Sequence, residues 1–155
     1  MELEQIVKKF VPLGGIFETA GFDDRKITIP SQLLETLKRR QRVEEISGIE
    51  LFYRVHQDEV PPYIELTDYL PDVRNVNFSR YKLIPKILDA NRISMTDAAK
   101  KKIGIVEGDA LTFLGKGNGI LIYRTQDYDR YIKSGFNPRG ILNLVVRMVE
   151  RFTYP

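Results

Sequence analysis

The chain has 155 residues, with 24 Lys and Arg against 21 Asp and Glu for a formal net charge of +3, 43% hydrophobic residues and no cysteine. This length suits one domain, or two small units sharing a core, and excludes a multi-domain enzyme; the lack of cysteine excludes a disulfide framework, a thiolate metal site and a cysteine nucleophile. No apolar run approaches the roughly 18 residues of a membrane span, and the opening residues lack the apolar stretch of a secretory signal, so a cytoplasmic protein is expected.

Residues 1–13 read as an N-terminal segment in which Leu3, Ile6, Val7 and Phe10 are apolar. The stretch Phe22-Asp-Asp-Arg-Lys-Ile-Thr-Ile-Pro30 follows, with apolar and polar residues alternating from Lys26 onward. A period of two predicts a half-buried strand with Lys26 and Thr28 on its outer face. Pro30 or Ser31 then opens a helix whose Leu33, Leu34 and Leu37 share one side. Its end carries the basic run Lys38-Arg-Arg-Gln-Arg42, which predicts a solvated helix terminus or a set of phosphate contacts from Lys38, Arg39 and Arg40. A strand from 49 to 55, a loop holding His56 and a strand over 63–66 complete this part, which ends in Asp68-Tyr69. The polar stretch 71–83 reads as a linker.

The same order then recurs. Leu88-Asp-Ala-Asn-Arg-Ile-Ser-Met-Thr96 aligns with the first strand so that Asp23 matches Asp89, Lys26 matches Arg92, Ile27 matches Ile93, Thr28 matches Ser94 and Ile29 matches Met95, each 66 positions apart. Thr96 is a fitting N-cap for a second helix with Ala99 and Ile103 on one side and the triplet Lys100, Lys101 and Lys102 at its end. Two strands, over 110–114 and 120–123, flank Gly115-Lys-Gly-Asn-Gly119. That glycine-rich stretch lacks the Gly-Lys-Ser/Thr ending of a phosphate loop and does not precede a helix, so a hairpin turn is expected. Asp127-Tyr128 closes the second part. The chain therefore divides into a first unit over 14–70, a linker over 71–83, a second unit over 84–134, and a C-terminal segment over 135–155. In the last, Ile141, Leu144, Val145, Met148 and Phe152 fit a helical stripe.

A strand of the form Asp-x-x-Arg-apolar-x-apolar-Pro, then a short helix, Gly-Ile and two strands, resembles the SpoVT/AbrB-like swapped-hairpin family. Two units in one chain resemble its double-domain MraZ-type transcriptional regulators, over roughly residues 14–134. The resemblance implies a mostly β fold with short helices (α+β), in which two tandem swapped-hairpin units share a pseudo-two-fold barrel core. It also implies a ring-shaped homo-oligomer, a nucleoid-associated location and double-stranded DNA as partner, met through Arg25, Lys26 and Arg92, with Asp23 and Asp89 ordering the turns before them. Two departures stand out. The family motif places a Gly before the arginine, which this chain lacks at both sites, and Lys26 occupies the arginine position in the first unit, offering a point charge where Arg would present a planar fork.

Catalysis finds no support in these residues. His56 is the single histidine, so no histidine pair can ligate a metal, and the carboxylates of Glu65, Asp68, Asp127 and Asp129 have no spacing that marks acid–base work. No enzyme activity, cofactor, metal or small-molecule substrate is expected. Two other readings remain open: an oligomeric protein-binding scaffold of the same fold, and an AbrB-type antitoxin with a toxin-binding tail at 141–152.

Overall fold

The computed structural model describes residues 8, 11–19, 22, 23, 25–70 and 81–133. The C-terminal segment, the apolar residues of the N-terminal segment, Asp24 and most of the linker lie outside them. Among the described residues the fold is mixed α+β, built mostly of antiparallel strands with short helices.

The strands among the described residues are β1 (Ile16–Thr19), β2 (Lys26–Thr28), β3 (Leu51–His56), β4 (Tyr63–Thr67), β5 (Lys82–Ile84), β6 (Arg92–Ser94), β7 (Leu111–Lys116) and β8 (Gly119–Arg124). The helices are α1 (Ser31–Gln41), α2 (Asp97–Ile103) and α3 (Thr125–Tyr128). Six strands form one sheet in the order β1-β7-β8-β4-β3-β5, while β2 and β6 form a separate two-stranded ribbon. Among the described residues the end strands of this sheet are β1 and β5. Two hairpins, β3–β4 and β7–β8, meet at its centre through β4 and β8, where Ile64 faces Ile122 and Leu66 faces Ile120. All four are fully buried, and each such side chain taken out of water contributes about 1.5–3 kcal/mol.

The ribbon closes the core from the other side. Ile27 faces Ile93, the two residues 66 positions apart in the sequence alignment, with Lys26 opposite Ser94 and Thr28 opposite Arg92. Ile27, Ile29, Ile93 and Met95 point inward and are buried, whereas Thr28 and Ser94 are exposed. This is the inside–outside alternation expected of a strand packed on one face. Helix α1 lays Leu33, Leu34 and Leu37 into the same core, and α2 adds Ala99 and Ile103. The Thr96 hydroxyl accepts a hydrogen bond from Ala99 N at 3.1 Å, capping α2 as its sequence suggests.

Some expectations are corrected and others met. β1 and β5, whose residues Ile-Phe-Glu-Thr and Lys-Leu-Ile do not alternate apolar with polar, go unmarked by period, and β5 begins at the end of the polar stretch 71–83. His56 is the last residue of β3, not a loop residue. The glycine-rich stretch makes the expected hairpin turn, which is tight: Lys116 pairs with Gly119, leaving a two-residue turn in which Gly117 supplies a φ of 70°. Residues 38–41 form the last turn of α1, as the placement of the basic run at the helix end anticipates.

Candidate nucleic-acid interface

Each ribbon strand is entered through a tight turn. Lys26 N donates to Asp23 O at 2.8 Å, and Leu88 and Arg92 exchange backbone hydrogen bonds of 2.7 and 3.3 Å. Arg25 and Asn91, again 66 positions apart, have φ of 59° and 60°, and Ala90 has 62°. The left-handed conformation that a glycine would adopt freely is thus taken by non-glycine residues, and the turns form without the family's Gly.

These turns put a cation at each end of the ribbon. Lys26 and Arg92 share its outer face with Thr28 and Ser94, because Ile27 and Ile93 take the inner one. The two cations sit diagonally, each across from a hydroxyl on the neighbouring strand, with about 5 Å between facing positions. Arg92 is half-buried and its Nε donates to Asp89 O at 3.1 Å. Arg25 is exposed and pairs at 3.2 Å with Asp97 in the first turn of α2. Asp23 and Asp89 are exposed, and both act in the turns through their backbone carbonyls. A two-stranded ribbon of this kind fits the roughly 12 Å major groove of B-DNA.

The basic clusters divide sharply. Arg39 and Lys101 are exposed. Lys38 lies 3.6 Å from Glu35, and Lys100 Nζ sits 5.6 Å from the centre of the Phe22 ring. Arg40 corrects the sequence reading, being 1% exposed and unavailable to any phosphate. Its Nε bonds both Asp68 oxygens at 3.2 and 3.1 Å, and Nη2 reaches Asp68 Oδ1 at 2.8 Å and Asn118 Oδ1 at 3.2 Å. Nη1 donates to the carbonyls of Val11 and, at 3.2 Å, Gly117. All five guanidinium N–H groups are used, tying α1 to β4, the β7–β8 turn and the segment before β1. Asp68 also accepts from Gln41 Nε2 at 3.2 Å. No local signal marks Arg40 among four neighbouring basic residues; the hint is its heptad-like distance of three from Leu37 and seven from Leu33.

A second polar cluster lies on the β3–β4 hairpin. His56 Nε2 shares a 2.8 Å hydrogen bond with Glu65 Oε1, and the Tyr81 hydroxyl donates to the same oxygen at 3.1 Å. Burial, and then the Glu65 charge, raise the Tyr81 hydroxyl pKa above its usual value. Further along, the rings of Tyr63, Tyr123 and Tyr128 meet in sequence at tilted angles with centres 5.3 and 6.2 Å apart, and burial pushes Tyr123 up to about 12. Between β3 and α2 lies a cavity of about 530 Å³ that brings Arg54, Lys82 and Lys102 together with Asp58 and Glu59. Among the described residues no group of three or more acidic or histidine side chains is arranged to hold a metal, and no helix is long and apolar enough to cross a membrane. The chain matches no family model and no curated protein.

Proposed function

We propose that this protein is a DNA-binding transcriptional regulator built from two tandem units of the SpoVT/AbrB-like type, which grips repeated sites as a ring of identical protomers on the nucleoid. The observation that carries the reading is the β2–β6 ribbon, whose outer face offers Lys26 and Arg92 at its two ends while its inner face is locked into the core. The tandem-unit reading is supported by the sheet order. Read inward from either end, it runs single strand, hairpin strand, hairpin strand, with β1 of the first unit beside the hairpin of the second, and β5 beside the hairpin of the first. Strands exchanged in this way are the hallmark of a swapped hairpin.

In this reading Arg92 reads base edges, Lys26 and Arg25 hold phosphates, and Lys38, Arg39, Lys100 and Lys101 add backbone contacts as the duplex leaves the ribbon. The test is the salt dependence of binding to duplex DNA. Affinity should fall by a steep power of salt concentration, because each neutralised phosphate releases counterions. An absence of binding at low salt would overturn the reading and select the protein-binding scaffold, which the Arg25–Asp97 ion pair favours by occupying one of the cations.

A further inference from the structure

The cavity of about 530 Å³ draws its charged side chains from three separate elements. β3 supplies Arg54 and the turn after it Asp58 and Glu59, β5 supplies Lys82, and α2 supplies Lys102. Lys82 reaches the cavity because it stands opposite Tyr53 in the β3–β5 register. Lys102 reaches it because residues four apart share one side of a helix, and Ala98, four residues earlier, lines the same space. None of these side chains belongs to the DNA contacts proposed above. A space of this volume has small-molecule dimensions, since ligand pockets run from roughly 300 to 1,000 Å³.

Opposite charges line this space without cancelling. The side chains of Lys82, Lys102 and Asp58 have no ion pair or hydrogen bond among the described residues. Arg54, by contrast, is held in place: its guanidinium carbon lies 5.7 Å from the centre of the Tyr81 ring, and the Tyr81 hydroxyl is fixed by Glu65. The same Glu65 oxygen holds His56, which also lines the cavity and stacks on Tyr63 with ring centres 4.5 Å apart. One wall is therefore positioned in advance, and the two lysines face it as point charges on flexible stems. A guanidinium fork and two ammonium groups from three directions match the several oxygens of a phosphate dianion better than a lone carboxylate. Asp58 is an acceptor in want of a donor, which a ligand hydroxyl provides and a bare anion does not.

We infer that this cavity binds a phosphate monoester on a hydroxyl-bearing frame, the chemistry shared by sugar phosphates and mononucleotides. The phosphate sits among Arg54, Lys82 and Lys102, and a hydroxyl of the frame donates to Asp58. Cavity and ribbon share no residue, so the site stands whether or not the chain binds DNA.

The experiment titrates the full chain with ribose 5-phosphate, uridine 5′-monophosphate, ribose and inorganic phosphate by isothermal calorimetry in a low-salt buffer free of phosphate. Ribose 5-phosphate should saturate one site per chain, and ribose should give no binding heat. Lys82, Lys102 and Asp58 are exposed, so their variants should keep the wild-type circular dichroism and unfolding midpoint. Lys82→Gln and Lys102→Gln should each weaken ribose 5-phosphate by roughly tenfold or more, the loss of one charge-assisted bond. Asp58→Ala should weaken ribose 5-phosphate and leave inorganic phosphate no weaker, while Arg92→Ala, on the ribbon, should change neither. Tighter binding of uridine 5′-monophosphate than of ribose 5-phosphate supports the site and assigns it to a nucleotide; the reverse order supports it and assigns a sugar phosphate. No saturable heat from either phosphate ester in the millimolar range overturns the inference, as does affinity that both lysine variants leave intact. Affinity lost in Arg92→Ala also overturns it, by placing the phosphate on the ribbon. Inorganic phosphate binding as tightly as ribose 5-phosphate overturns the hydroxyl-bearing ligand. Duplex titrations of the unliganded chain test the DNA-binding reading separately, so neither failure can stand for the other.

Discussion

Replacing Arg40 with Met tests the buried ion pair that ties α1 to the sheet. Arg40 and Asp68 both have side chains that are 0% exposed. Methionine approximates the length of the aliphatic stem, so the change removes charge and hydrogen bonds and leaves little void. It strands the Asp68 carboxylate in the interior with, among the described residues, the Gln41 amide as its remaining side-chain donor, and it leaves Val11 O, Gly117 O and Asn118 Oδ1 without the bonds Arg40 supplied. Breaking a buried pair by removing one partner costs about 3–5 kcal/mol, because the other charge stays buried without compensation. For a chain of this length each kcal/mol moves Tm by about 2–4 °C, so Arg40→Met should lower it by roughly 6–20 °C. The double variant Arg40→Met/Asp68→Leu removes the stranded charge and should recover a large part of the loss. Urea unfolding of the wild type, both single variants and the double variant measures the cycle. A loss under about 1 kcal/mol for Arg40→Met, or a double variant as unstable as the two single losses added, would refute the reasoning. If Arg40→Met still folds at low temperature, its DNA salt slope should equal the wild type's, since a buried guanidinium neutralises no phosphate.

In DNA titrations Arg92→Ala should lose about 1–3 kcal/mol per site and relax sequence preference, while Lys26→Ala should weaken all duplexes alike and reduce the salt slope by about 1; unchanged affinity for Arg92→Ala would remove that residue from the interface. Gly115→Ala should destabilise by about 1–3 kcal/mol, because the new Cβ would lie 2.6 Å from Gly14 Cα and N where β1 joins β7, and backbone must move to admit it; chemical denaturation reads this directly. Tyr123, with its pKa raised from 10.0 to about 12 by burial, makes stability fall with alkaline pH. Below pH 10 the phenol is neutral folded and unfolded; between 10 and 12 the unfolded chain releases a proton that the folded one keeps, so up to about 1.4 kcal/mol is lost per pH unit. Phenolate absorbance should show one tyrosine titrating last, and Tyr123→Phe should remove both that step and its share of the alkaline destabilisation.

The elements that local spacing alone determines are those with an apolar period long enough to read. Alternation at Lys26-Ile-Thr-Ile and Arg92-Ile-Ser-Met marks strands with one inner face, and Leu33, Leu34 and Leu37 mark the buried side of α1; the structure buries the apolar residues of all three. The Thr96 cap and the Gly117 turn are equally local, since each depends on a hydrogen bond or a φ angle within a few residues. Pairing is another matter. That β2 takes β6 as its partner, that β1 joins the β7–β8 hairpin and that β5 joins the β3–β4 hairpin depends on surfaces brought together from 29 to 98 residues away. Arg40 is the sharpest case. Lys38, Arg39, Arg40 and Arg42 are alike as letters, and the one that leaves water does so because Asp68, 28 residues on, and the Gly117-Asn118 turn converge on its position to bond all of its donors. A period in the sequence reports which face of an element avoids water, but the partner that covers that face, and can make burying a charge tolerable, exists only once distant segments meet.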